Sequence, residues 1–213
     1  MPAQPPAPRR RRDPERRIAE ITEATLRVIA ERGIEGLTHR AVADEAGVPL
    51  GATTYHFAAK DDLIQAALML AYERYAAMLR EWVAQRPGLS VNQLVVLLTD
   101  AMMGAFGPNR AYEVVELELY LAALRRPALR PVADQYTQAT VAALLPYVDP
   151  LTARAAVAAM NGLTLRGLAA GEPPTRTEVE DILRRVLTPN PAFPAPPAPP
   201  APPAPGAPPA PGD

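Results

Sequence analysis

Apolar side chains recur at Ile18, Ile21, Thr25, Val28 and Ile29. That three-or-four-residue spacing predicts a helix with one buried face. Asp13-Pro14 starts it, with a carboxylate to accept from a free N–H and a proline where the missing N–H costs nothing. Gly33 is expected to close it as a left-handed cap. A second long pattern begins at Lys60 and runs through Leu63, Ile64, Ala67, Leu68, Ala71, Tyr75, Met78, Leu79 and Trp82, stopping before Pro87-Gly88. Further helices are predicted over 90–106, 110–124, 128–145, 152–170 and 175–187. Gly107-Pro108-Asn109, Arg126-Pro127, Asp149-Pro150 and Gly171-Glu172-Pro173-Pro174 break the chain between them. No Val/Ile/Thr-rich run with a period of two survives between these breakers, so the pattern predicts an all-α fold of about nine helices.

Two of those helices are short and lie between the long ones. Residues 38–46 read as a helix capped by Thr38, with Ala41, Val42 and Ala46 available for packing, and Gly47 permits a left-handed turn. A second short helix follows from Pro49 to Phe57, and two short helices joined by a glycine turn form a helix-turn-helix. The second helix of such a motif enters the major groove of DNA. Thr53 and Phe57, four residues apart, are expected inward, leaving Ala52, Tyr55 and His56 outward. Pro49, Leu50, Gly51 and Ala52 form the leading end of that helix, where small residues permit close approach. Thr54, Tyr55 and His56 can donate to phosphate oxygens, Ala52 can meet a thymine methyl, and Arg40 is the candidate for a bidentate guanine contact. Lys60 is the only lysine in the chain and stands at a helix start, where ammonium and helix N-terminus can share one phosphate. Asp61 and Asp62 are read as first-turn acids that favour that helix start.

Composition narrows the class. The chain is 48% hydrophobic but only 5% aromatic, which favours helices, and it contains no cysteine, which removes disulfides and thiolate metal sites. Neither a signal-peptide pattern nor an ~18-residue uncharged apolar run is present, so a cytoplasmic protein without membrane contact is expected. The net charge of -1 hides six arginines against two acids in residues 1–17. That leading segment is either a phosphate-contacting arm or a solvated charge run. At the other end, residues 189–213 hold 13 of the 27 prolines in Pro-Ala repeats, which reads as an extended spacer, or as a ligand for a partner's aromatic groove. The expected division is a disordered basic arm over 1–13, a helix-turn-helix domain over 14–59, a helical ligand-binding and dimerisation domain over 60–188, and a disordered tail over 189–213. Both histidines, His39 and His56, fall inside the helix-turn-helix, and no phosphate-cradling loop or metal-ligand cluster is found. No enzyme activity, cofactor or metal is therefore expected. A helical interaction module recruiting partners through its Pro-Ala tail is the competing reading.

Leu37-Thr38-His39-Arg40-Ala41-Val42-Ala43, then Ala46-Gly47-Val48, Gly51, Tyr55-His56-Phe57 and Lys60 together resemble the TetR family of bacterial repressors over about residues 14–65. The resemblance implies that Arg40 can read bases, that Thr38, Tyr55, His56 and Lys60 hold DNA backbone, and that Pro49 to Phe57 is the recognition helix. Leu50 and Ala52 stand where many members carry polar residues, which shifts readout toward Arg40, methyl contacts and DNA shape. It also implies a homodimer on a palindromic double-stranded operator, because one short helix covers too few base pairs. The stretch from Ala158 to Leu168 is similar to the family's penultimate helix, placing Met160, Leu163, Thr164 and Gly167 at the dimer interface. A small-molecule effector is implied among the later helices. Candidate lining residues are Trp82, Met102, Met103, Phe106, Tyr112, Glu116, Tyr120, Tyr136 and Arg166; a Glu116 that points inward would favour a cationic or hydrogen-bonding ligand, and Glu118 is expected exposed.

Overall fold

A computed structural model describes residues 13–188. The leading arm up to residue 12 and the tail over 189–213 lie outside the described residues. Among the described residues nine α-helices follow one another: α1 (Pro14–Arg32), α2 (His39–Ala46), α3 (Leu50–His56), α4 (Lys60–Ala84), α5 (Val91–Ala105), α6 (Arg110–Arg125), α7 (Arg130–Leu144), α8 (Pro150–Ala170) and α9 (Arg176–Leu187). One 3-10 turn, Pro127–Leu129, links α6 to α7. Among the described residues there is no strand, and no helix is long and apolar enough to cross a membrane.

The caps explain the boundaries. Asp13 accepts from the Arg16 N–H at 3.2 Å, so this residue of the expected arm is ordered as the α1 cap. Thr38 accepts from the Ala41 N–H at 3.0 Å, and such a cap is worth about 1 kcal/mol. Ser90 and Gln93 cap α5 reciprocally, and Asp149 accepts from both Leu151 and Thr152 at the head of α8. Gly47 is left-handed as expected (φ 64°, ψ 35°). Gly33 has positive φ (67°) but an extended ψ of 173°, so it does not form the expected left-handed cap. The chain leaves α1 with the next N–H, that of Ile34, pointing at α6.

Two apolar cores result. The first joins Ile21, Val28 and Ile29 of α1, Val42 of α2, Phe57, Leu63, Ile64 and Leu68 of α4, Leu119 of α6 and Tyr136 of α7. It continues past residue 60, so the helix-turn-helix shares its core with α4, α6 and α7. The second joins α5, α7, α8 and α9 through Leu94, Leu98, Leu144, Val157, Leu163, Val179 and Leu183. Two expected core positions are exposed, Ile18 before the α1 contact begins and Met78 of α4. On α4 it is Ala76, rather than Met78, that the neighbouring helices bury.

Candidate functional site

The short helices present one face outward. Thr53 is fully buried, its hydroxyl donating to the Leu50 carbonyl at 2.8 Å, and Phe57 is buried beside it. These two anchors turn the other residues of α3 toward solvent. Tyr55 is 84% exposed and meets the His56 ring edge-on at 5.0 Å. Thr38, Arg40, Pro49, Leu50, Gly51 and Thr54 are exposed, while Ala52, His56 and Lys60 are half-buried. A Cβ at Gly51 would meet nothing within 4 Å, so the leading end of α3 is open to a close-approaching surface. Arg40 has no ion-pair partner among the described residues. Lys60 Nζ donates to the Glu35 carbonyl at 3.4 Å, which holds the ammonium beside the α1–α2 turn. The two acids next to it are occupied. Asp62 accepts from the Ala59 N–H at 2.9 Å, and Asp61 pairs with Arg126 at 3.2 Å. Both carboxylates are engaged by partners other than Lys60.

A second site lies between α6 and α8. Glu113, Glu116, Leu117 and Tyr120 of α6 face Asn161 and Thr164 of α8 around a cavity of only about 10 Å³. Tyr120 hydrogen-bonds Thr137 at 2.9 Å, Tyr75 hydrogen-bonds Thr140 at 2.8 Å, and Tyr136 stacks on Tyr75 at 5.3 Å with Tyr72 edge-on to it. Burial, and then the neighbouring Glu113, push the Glu116 carboxyl up to about 7. Burial also raises Glu113. The Tyr120 hydroxyl is pushed up to about 12 by burial and by Glu116, and Tyr75 and Tyr136 are raised for the same two leading reasons. Two half-buried carboxyl groups thus share the cavity wall with Tyr120, and whatever negative charge the site carries is on them rather than on the phenols, which resist ionisation.

The nine candidate lining residues divide. Glu116 and Tyr120 line the cavity, and Tyr136 stands behind them with Tyr75 and Tyr72. Trp82 packs on Tyr147 and Arg86, and with Met102 and Met103 it belongs to the second core. Phe106 fills the space over Gly167, where a Cβ would lie 2.6 Å from its ring. Tyr112 is 70% exposed, and Arg166 is exposed and pairs with Glu178 at 2.7 Å, so neither lines the cavity. The sequence pattern does not single out Glu113, Asn161 or Tyr75 as site residues. Two of them carry a usable signal: Glu113 lies three residues before Glu116 and therefore on its face, and Asn161 is the one amide in an Ala/Leu helix.

The α8 face also differs from expectation. Leu163, Thr164 and Gly167 are buried inside the protomer and Met160 packs on the second core, because this side of α8 closes over α5, α9 and Phe106. Leu151, Ala155, Ala158, Gly162, Leu165 and Ala169 are exposed instead. Glu118, expected at the surface, is half-buried and accepts from the Ile34 N–H at 3.2 Å.

Residues 21–67 match the family model described as bacterial regulatory proteins, tetR family, and residues 89–189 that described as tetracyclin repressor-like, C-terminal domain. The chain is 34% identical over 110 residues to the HTH-type transcriptional regulator PksA of Bacillus subtilis, spanning 52% of this chain and 51% of that protein. The crystal structure of the multidrug binding protein EbrR complexed with ethidium is 44% identical, with a TM-score of 0.69, covering 81% of this chain and 99% of that one. EbrR is also solved with proflavin and with malachite green. A TetR family member from Streptomyces coelicolor A3, SCO1917, is 43% identical, with a TM-score of 0.65, covering 81% of this chain and 98% of that one. With the fold, the helix-turn-helix and both matched regions in agreement, this chain belongs to the TetR family of helix-turn-helix transcriptional regulators.

Proposed function

We propose that the protein is a dimeric repressor that holds a palindromic operator through Arg40, α3 and Lys60, and that an organic cation entering the cavity beside Glu113 and Glu116 releases it. The observation that carries the ligand class is the half-buried pair of carboxyl groups that lines one cavity with Tyr120. A cation there meets negative charge and aromatic faces together, a combination that gains from cation–π contact and from partial desolvation. Ethidium, proflavin and malachite green, the molecules held by EbrR, are aromatic cations. The DNA half of the reading rests on α3, whose Thr53 and Phe57 anchors leave Tyr55, Thr54 and Gly51 facing out. Dimerisation rests on α8, whose exposed apolar and small residues recur at spacings of four and three, the repeat of a helix–helix seam. The helical domain over 60–188 then carries both ligand and partner.

Mobility shift of DNA from upstream of the protein's own gene tests the whole reading. A specific complex should form and dissociate as ethidium is added, and Glu116→Gln should need a far higher ethidium concentration, which separates release through the cavity from intercalation of ethidium into the DNA. Failure of the folded protein to retard any such fragment counts against DNA regulation, and a complex indifferent to ethidium counts against the cation.

Two substitutions separate base contact from backbone contact. Arg40→Ala is expected to cost ~1–3 kcal/mol and to relax preference at one base position per half-site. Lys60→Ala should weaken every sequence alike and reduce the salt slope by ~0.9 for each phosphate that the ammonium group neutralises. Binding selections at two salt concentrations check both, and a uniform loss for Arg40→Ala would reassign it to the backbone.

A further inference from the structure

We propose that Glu118 is the positioning residue that ties the ligand cavity to the helix-turn-helix, by holding the α1–α2 turn to the far side of α6. This rests on the reading that the Glu113/Glu116 cavity takes an effector and that α3 reads DNA. Glu118 Oε2 accepts from the backbone N–H of Ile34 at 3.2 Å, across 84 residues of sequence. The turn is built to admit that carboxylate. A Cβ at Gly33 would lie 2.9 Å from Glu118 Oε1, and the positive φ of Gly33 (67°) independently disfavours any larger residue there.

Glu116 and Glu118 are two residues apart on one helix, which puts them about 200° apart around its axis and about 3 Å apart along it. Cavity contact and turn contact are therefore opposite sides of a single turn of α6. Nothing flexible lies between them. The cavity, at about 10 Å³, is about the space one water needs, so an aromatic cation enters only if α6 and α8 separate. An α6 displaced in that way carries Glu118 with it.

The other end of the same joint is also tied. Arg126, just after α6, pairs with Asp61 at the head of α4, and the adjacent Lys60 reaches back to the Glu35 carbonyl. The tied points, residues 34 and 61, bracket α2 and α3. Between the ties is a cleft of about 280 Å³ lined by Ile34, Glu35, Glu118, Leu121, Leu124 and Arg126. Ile34 also packs with Leu119 and Ala122 in the shared core, so the polar ties act beside that packing, and the cleft next to them leaves the joint room to shift.

The experiment uses the full-length dimer with Glu118→Ala and the near-isosteric Glu118→Gln, whose amide oxygen can still accept from Ile34. Three quantities are measured: hydrogen exchange at the Ile34 amide, ethidium affinity without DNA, and operator affinity with and without saturating ethidium. Glu118→Ala should exchange faster at Ile34 and bind ethidium within about threefold of the parent. The factor by which ethidium weakens operator binding should fall at least ~5-fold, the low end of ordinary coupling. Glu118→Gln should recover part of that factor. An unchanged factor in Glu118→Ala overturns the proposal, as does unchanged Ile34 exchange. If ethidium fails to release the parent, the effector reading is at fault. Glu118 is then judged on ligand-free operator affinity, which should drop in Glu118→Ala with no change in salt slope, because Glu118 touches no phosphate; an unchanged affinity refutes it.

Discussion

Glu116→Gln is expected to bind ethidium about 100-fold more weakly than the parent at pH 8, and yet to melt at a higher temperature. Both effects come from one half-buried carboxyl group that shares its cavity with a second. Its ionisation is displaced from an ordinary 4.5 to about 7, first by burial and then by Glu113. Below pH 4.5 the group is protonated in the folded and unfolded chains alike and costs nothing. Between pH 4.5 and about 7 the unfolded chain ionises while the folded one resists, so this group's contribution to stability declines across that window and stays low above it. Glutamine never ionises and escapes the loss. Its advantage at pH 8 should be on the order of 1–2 kcal/mol, less than the full shift implies because the site is partly solvated, and should vanish near pH 4.5. The cation sees the opposite sign. Its affinity for the parent should rise with pH until about 7 and then level, whereas the variant should be nearly flat, with Glu113 supplying the remaining dependence. A hundredfold loss is ~2.7 kcal/mol, within what one partly desolvated charge pair supplies. Fluorescence titration and thermal melts from pH 5 to 8.5 measure both curves. Undiminished ethidium binding by the variant at pH 8 would remove Glu116 from the site.

The helix-turn-helix is legible in the sequence because its information is local. Thr38 caps a helix that begins one residue later, Gly47 sits at the turn between the two short helices, and the four-residue interval from Thr53 to Phe57 selects the inward face. The helix breakers are equally local. Proline and glycine separators place α5 to α9 within a residue or two of their observed ends. Which face of a helix meets what is a long-range property, and there the sequence is ambiguous. Helix α8 carries alanine, leucine or glycine on both sides, so hydrophobicity alone does not distinguish the side closed by Phe106 from the side left open. Gly167 is small to admit a ring of its own protomer, a reason no neighbouring residue reveals. Glu118, flanked by Leu117 and Leu119, reads as a solvated acid until the fold brings Ile34 to it. Met102, Met103 and Trp82 are ordinary core, as an apolar stripe at helical spacing usually is.

Leu165→Glu should convert the protein to monomer and reduce operator affinity by at least ~100-fold, the scale on which tethering a second binding module acts. Leu165 is 49% exposed in the protomer and lies on the stripe from Leu151 to Ala169. At the centre of that stripe, Ala158 and Gly162 allow a second helix to approach closely. In the proposed dimer a carboxylate placed beside them would face its own symmetry mate across the two-fold axis, so each dimer would carry two unpaired charges in an apolar seam. The protomer itself keeps both cores, since Leu165 belongs to neither. The variant should therefore retain its helical content and its ethidium affinity while its recognition helix reads a single half-site. Val96→Glu, on an equally exposed apolar position of α5, controls for added charge and should leave assembly intact. Leu163→Glu, on the buried side of α8, should destabilise the fold instead. Sedimentation and operator titration on the three variants discriminate the faces. A Leu165→Glu protein that remains dimeric with parental operator affinity would place the two-fold axis elsewhere.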